Sequence, residues 1–284
     1  MDKGLMLEIL VFSLIIGLGY SLMASGFNLL LSVGRIINLA YGAYVVLVAY
    51  IYSTLAQSIQ PGLAALIALA ISTAIGTVGW SVLAALRRNE VLMIVVTLSI
   101  ALVIEGVLIW IYGPYQRVVP VIVSGSIGWL NLQWLVTALI AVVTYLGYFL
   151  LIAKTKIGKM MIATAEDPEL AILYGMNPAR IYYITTAIAS LFASLSGLLL
   201  SPFLTIYPHV AWLFLTIVLS VTIIGGVGSV VGSIVAGILI SGVERVASYY
   251  IDPIFQGFVA PALVIGMLLL RPRGLFGKAE LRWA

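Results

Sequence analysis

The chain has 284 residues, of which 63% are hydrophobic and 8% charged, with a net charge of +4 and no cysteine. A soluble domain carries about 25% charged residues, so this composition excludes a water-soluble enzyme and indicates a membrane protein. With no cysteine there is no disulfide framework and no thiolate metal site.

The first apolar run covers residues 9–33. It is too long for the core of a signal peptide and long enough to cross a bilayer, so it reads as a transmembrane helix. Further apolar runs cover roughly 36–56, 62–86, 91–112, 132–153, 181–201, 211–224, 234–250 and 254–270. Each long run supplies about the 20 residues that a helix needs to span the hydrocarbon core. The last three are shorter. Gly225, Gly226, Gly228, Gly232 and Pro261 interrupt them, which predicts broken or re-entrant helices. The expected architecture is all-α, a polytopic helical bundle of about nine spans, within a range of eight to ten. Trp110, Trp129, Trp134 and Trp212 fall near predicted outer helix ends, as an interfacial belt in contact with lipid would.

The basic residues give the orientation. With 87–90 in the cytoplasm, Arg35, Arg87, Arg88, Lys154, Lys156, Lys159, Arg180, Arg271, Arg273, Lys278 and Arg282 share that side. Lys3 and Arg117 fall outside, and Arg245 lies in or near a span. Eleven against two is a strong positive-inside bias. It places the N-terminus and the 113–131 loop outside, and the 154–180 segment and the C-terminus in the cytoplasm. This placement accounts for the basic excess without any nucleic acid.

The 154–180 segment is the one long polar interruption, and its middle carries start and stop signals for a helix over about 168–174. Asp167 suits the N-cap and Pro168 the first helical position. Glu169, like its neighbour Glu166, adds negative charge near the positive helix end. Gly175 is a stop after Tyr174. Ala171 lies within the turn, and Leu170, Leu173 and Tyr174 form an apolar face. From the residues alone two readings stay open: a capped turn lying on the membrane surface, or a docking element for a cytosolic partner.

Few other residues suggest chemistry. The run from Gly225 to Ser233 looks like a phosphate loop but lacks the required Gly-Lys-Ser/Thr ending. Gly158-Lys159 precedes Met160, and Gly277-Lys278 precedes Ala279. No nucleotide site of this type is expected. Gly228, Gly232 and Ala236 are spaced for close helix packing, as are Gly17, Ser21 and Ser25. Gly225, Gly226 and Ser229 belong to the same packing or helix-breaking region. Asn28, Asn38 and Tyr41 put polar groups at or near membrane depth, where they either contact a substrate or bond neighbouring helices. Glu105 is the acid well inside a long span and a functional candidate on that ground. Two readings are open for it, a pairing with a cation on a partner subunit or a place near the outer surface. Glu244 and Arg245 are adjacent, so they do not face each other on a helix, and both are expected near the outer interface. His209 is the single histidine. It cannot alone hold zinc, it belongs to no catalytic grouping, and it is expected in an exposed external turn. No catalytic residue and no metal site are expected.

Four stretches carry a family resemblance. Residues 158–202 resemble the cytoplasmic loop and following helix of the branched-chain amino-acid ABC permeases. VGRIINLAYGAYVVLVAY (33–50) is similar to the family's second-helix signature, VLSVTIIGGVGSVVGSIVAGILISGVE (218–244) to its glycine-rich region and LLLRPRGLFG (268–277) to its C-terminal end. The chain departs from the family at Tyr41 and Ala43, where a histidine and a glutamate are common. An amide is common near Glu105.

The resemblance implies one permease domain over 1–284, with 154–180 as its coupling loop. It implies a binding-protein-dependent importer with a second, usually different, permease subunit, two cytosolic ATPases that use ATP and Mg, and an extracytoplasmic solute-binding protein. The chain itself would bind no cofactor. The short helix would dock into a groove on the ATPase. A secondary transporter without ATPases is the alternative, with Glu105 as its candidate ion-coupling group.

Overall fold

The computed structural model describes residues 3–84, 89–128, 130–252 and 256–277. Arg87, Arg88, Trp129, Lys278 and Arg282, used in the topology and belt readings, lie outside the described residues.

The elements in chain order are α1 (Lys3–Leu29), continued by a π-helical turn (Leu30–Gly34), α2 (Tyr41–Leu55), α3 (Pro61–Ala84) and α4 (Glu90–Tyr112). A two-residue hairpin follows, β1 (Ser126–Ile127) against β2 (Leu130–Asn131), antiparallel, with Ser126 opposite Asn131. Next come α5 (Leu132–Lys154), α6 (Lys156–Glu166), α7 (Pro168–Leu173) and α8 (Pro178–Leu200), the last extended by a 3-10 turn (Ser201–Phe203). Then come α9 (Val210–Gly225), α10 (Val230–Tyr250) and α11 (Gln256–Leu270).

Among the described residues six helices, α1, α3, α4, α5, α8 and α10, are long and apolar enough to cross a membrane. α2, α9 and α11 are apolar but have only 15, 16 and 15 residues. At 1.5 Å per residue these reach about 22–24 Å, against a hydrocarbon core of about 30 Å.

Two sequence expectations are corrected here. α10 is not short: Ser229 Oγ accepts from Gly232 N at 3.0 Å and caps the helix at Val230, so Gly232 lies inside it. Pro261 lies within α11 without ending it.

The short helices α2 and α9 start inside the bundle. Arg35 adopts a left-handed conformation (φ 51°) and stops the π-helical turn, so the chain up to Ala40 is not helical. Within this stretch Leu39 N donates to Thr97 Oγ1 (3.3 Å), seven residues into α4. At the other side, His209 meets Glu105, seven residues before the end of α4. Each junction therefore lies about 10 Å inside an end of α4. The two N-termini abut: a Cβ on Gly42 would collide with the Ala211 carbonyl.

α1 is the central helix and packs on α10, α8, α9 and α5. Its small residues permit this. A Cβ on Gly17 would sit 2.6 Å from Ile238 Cα, and one on Gly237 would sit 2.8 Å from the Gly17 carbonyl. The buried Tyr145 hydroxyl on α5 donates to Ser21 Oγ (2.8 Å) and shares a bond with Ser25 Oγ (3.0 Å). These are the residues whose spacing predicted packing.

Hydrogen bonds sort the connections into two ends. At one, the backbones of Arg117 and Ile206 exchange bonds of 2.8 and 3.2 Å, joining the α4–α5 and α8–α9 loops. At the other, Leu275 N donates to Ile224 O (2.8 Å) and Phe276 N to Gly225 O (3.1 Å), joining the C-terminal segment to α9. Met161 of α6 clusters there with Val33 and Ile181. Arg35, Lys154, Lys156, Lys159, Arg180, Arg271 and Arg273 all belong to this second, basic end.

Candidate functional site

The basic end carries α6 and α7. The sequence showed one short helix in this segment, and the structure has two. Thr155 Oγ1 accepts from Gly158 N (3.1 Å) and starts α6. Gly158, Met161 and Thr164, spaced by three, are its buried stripe. That spacing behind a threonine cap was the available signal.

α7 follows after Glu166, an exposed residue that ends α6. Asp167 Oδ1 accepts from Glu169 N (2.9 Å) and Leu170 N (3.0 Å). Two of the orphan donors of the first turn are thereby satisfied. Pro168 takes the first position, where a missing N–H costs nothing. At the far end Gly175 turns left-handed (φ 76°), its N–H bonds Ile172 O (2.9 Å), and Met176 N bonds Ala171 O (3.0 Å). Ala171 is buried, whereas Leu170, Ile172, Leu173 and Tyr174 are 48%, 57%, 82% and 78% exposed. An apolar ridge between two fixed ends therefore faces away from the bundle. Ile172 was missed in the sequence. With one small side chain anchoring so short a helix, its other apolar positions project.

The glycine-rich region lies at the same end. Gly225, the last residue of α9, faces Gly232 of α10 so closely that a Cβ on either would collide with the other's backbone. Gly226 (φ 96°) and Gly228 (φ 82°) make the intervening turn. Asn28 fastens it: its Nδ2 donates to Ser233 Oγ (2.7 Å) and Ser229 O (3.4 Å), and its Oδ1 accepts from Gly228 N (3.1 Å). Both ends of the Asn28 amide are thus engaged by protein.

Asn38 and Tyr41 sit at the buried start of α2. Asn38 Oδ1 accepts from Ala40 N (2.8 Å), and its buried Nδ2 has no hydrogen-bond partner among the described residues. The Tyr41 hydroxyl donates to Ala189 O (3.0 Å), and its ring meets Phe27 edge-on. Further along α2, the buried hydroxyls of Tyr50 and Tyr52 also lack partners among the described residues. Glu105 uses both oxygens within this chain, Oε1 on His209 Nδ1 and Oε2 on Trp212 Nε1, each at 2.8 Å. His209 is exposed, as expected, but it lies inside the end of the bundle and is tied to Glu105. A lone histidine gives no sequence signal for that pairing.

The family described as "Branched-chain amino acid transport system / permease component" matches residues 6–268. The chain belongs to this family of permeases. Among its relatives, the high-affinity branched-chain amino acid transport system permease protein LivH of Escherichia coli is 23% identical, over 93% of both chains. BraD of Pseudomonas aeruginosa, described in the same words, is 25% identical over 96% of both. A probable LivH of Methanocaldococcus jannaschii is 27% identical over 90% of this chain and 88% of its own. No solved structure matches. This permease is thus a multi-pass protein of the cell membrane, and its relatives span it nearly from end to end.

Proposed function

We propose that this permease is the translocation subunit of an ATP-driven importer, moving branched-chain amino acids or similar small polar solutes by alternating access. The observation that carries the reading is α7, a doubly capped helix presenting four exposed apolar side chains at the basic end. In water such a ridge calls for a partner, and a groove on a cytosolic ATPase would receive it. The basic residues of that end support a cytoplasmic placement, with the N-terminus outside. ATP and Mg would be used in two such ATPases, since the sequence has no phosphate loop of its own. A second permease subunit would complete the pathway, and a solute-binding protein would deliver substrate from outside. Within the permease, the polar atoms of Asn38, Tyr50 and Tyr52 that have no partner among the described residues make α2 the proposed wall of that pathway.

The test is uptake of radiolabelled leucine by cells expressing the permease with its ATPases and binding protein. Uptake should stop on ATP depletion and survive an ionophore. Collapse with the ionophore alone would instead identify a secondary transporter.

A further inference from the structure

A cavity of about 300 Å³ opens between α1, α9, α10 and the α8–α9 loop, at the end opposite α7. It has the size of a small-molecule site. Its polar lining is Tyr20, Thr205, Tyr207, Glu244 and Arg245. Glu244 and Arg245 are neighbours on α10 about 100° apart around the helix, yet both border the cavity because it spans that arc. Glu244 is only 3% exposed. A carboxylate at this depth is expensive unless something uses it.

The surroundings leave it capacity. The Tyr20 hydroxyl hydrogen-bonds the Glu244 carboxylate, but a carboxylate has about four acceptor sites. The Arg245 guanidinium lies over the Phe12 ring, 4.0 Å from its centroid. Stacking occupies the face of a guanidinium and leaves its in-plane N–H donors for an anion. The opposite wall is apolar, formed by Val210, Leu213, Phe214 and Ile217 of α9. One cavity thus offers an acceptor for a cation, a donor for an anion close beside it, and an aliphatic surface.

We propose that this cavity binds an α-amino acid as its zwitterion, the ammonium on Glu244, the carboxylate on Arg245 and an aliphatic side chain on the α9 wall. The match is to charges held one carbon apart. Urea, sugars and nucleosides carry no such pair. The proposal rests on the permease reading and adds a location and a recognition chemistry to it.

The experiment is binding of radiolabelled leucine to the full-length chain in lipid nanodiscs, with competitors. Valine and isoleucine should compete. Leucinamide, which lacks the carboxylate, and 4-methylpentanoate, which lacks the amine, should compete at least tenfold less well. Glu244→Gln and Arg245→Gln should each weaken binding at least tenfold, and Arg245→Lys should restore part of it. Should those variants fail to fold, Leu213→Trp, which fills the cavity from its apolar side, should block binding at normal membrane abundance. Equal competition by the amide and the acid, or unchanged binding in Leu213→Trp, would overturn the proposal. Leucine uptake by the complete system with unchanged KM in Glu244→Gln would overturn it too, while leaving the permease reading intact. Tight, zwitterion-selective binding in a system without ATP-driven uptake would do the reverse.

Discussion

Asn28 on α1 and Ser233 on α10 lie 205 residues apart in sequence and 2.7 Å apart in space. The same asparagine amide accepts from Gly228 N, so one side chain holds the first helix, the glycine turn and the start of α10 together.

Replacing Asn28 by Leu removes the acceptor of the Gly228 N–H and the amide donor to Ser233 Oγ, while Ser233 keeps its bond to Ser229 O. Hydrogen bonds of this kind are each worth about 0.5–1.5 kcal/mol. The purified Asn28→Leu protein should therefore unfold at a clearly lower temperature than wild type, with Asn28→Gln in between. Identical melting curves would mean that the turn is held by other contacts.

The glycines of the α9–α10 contact should divide sharply from those in open space. At Gly232 a larger side chain meets the Gly225 carbonyl, and overpacking of this kind costs about 1–3 kcal/mol or more. Gly232→Val should reduce accumulation in the membrane. Gly62 has nothing near it, and Gly62→Ala should be neutral or slightly stabilising. Quantitative immunoblots of membranes would distinguish the two.

On α7, Leu170→Asp and Leu173→Asp should leave abundance normal, because both side chains are exposed in the free subunit. Docked in an ATPase groove, the new charge would be desolvated at a cost of several kcal/mol. Co-purification of the ATPases should be lost. Asp167→Ala removes only the cap, worth about 1 kcal/mol, and should give a partial defect. Full assembly of both aspartate variants would remove α7 from the coupling role.

Orientation can be read by thiol labelling, since the chain has no cysteine of its own. An impermeant reagent on intact cells should label Ser124→Cys. It should reach Lys156→Cys, an exposed position on α6, only after permeabilisation. The opposite pattern would invert the proposed topology.

Much of this was legible in the chain. Asp167-Pro168 and Gly175 marked α7 to within a residue, because capping is a local property of adjacent side chains. The packing of Gly17, Ser21 and Ser25 followed from spacing on a single helix. What escaped depends on distant partners. Nothing near Glu105 in sequence announces His209 and Trp212, about a hundred residues later. The late start of α2 was hidden as well, since an apolar run looks the same whether its backbone is helical or stopped at Arg35. For Glu244 and Arg245 the sequence indicates non-facing neighbours near the outer interface and no shared site, because the cavity that both border is completed by other helices.

The tie between residues 275–276 and the end of α9 closes that helix from outside it. Ile224 O and Gly225 O belong to the orphan carbonyls that every helix C-terminus leaves, and Leu275 N and Phe276 N donate to them. The stretch after α11 therefore anchors the same short turn that leads into α10, so a backbone change at 275–276 reaches the start of α10 without touching it.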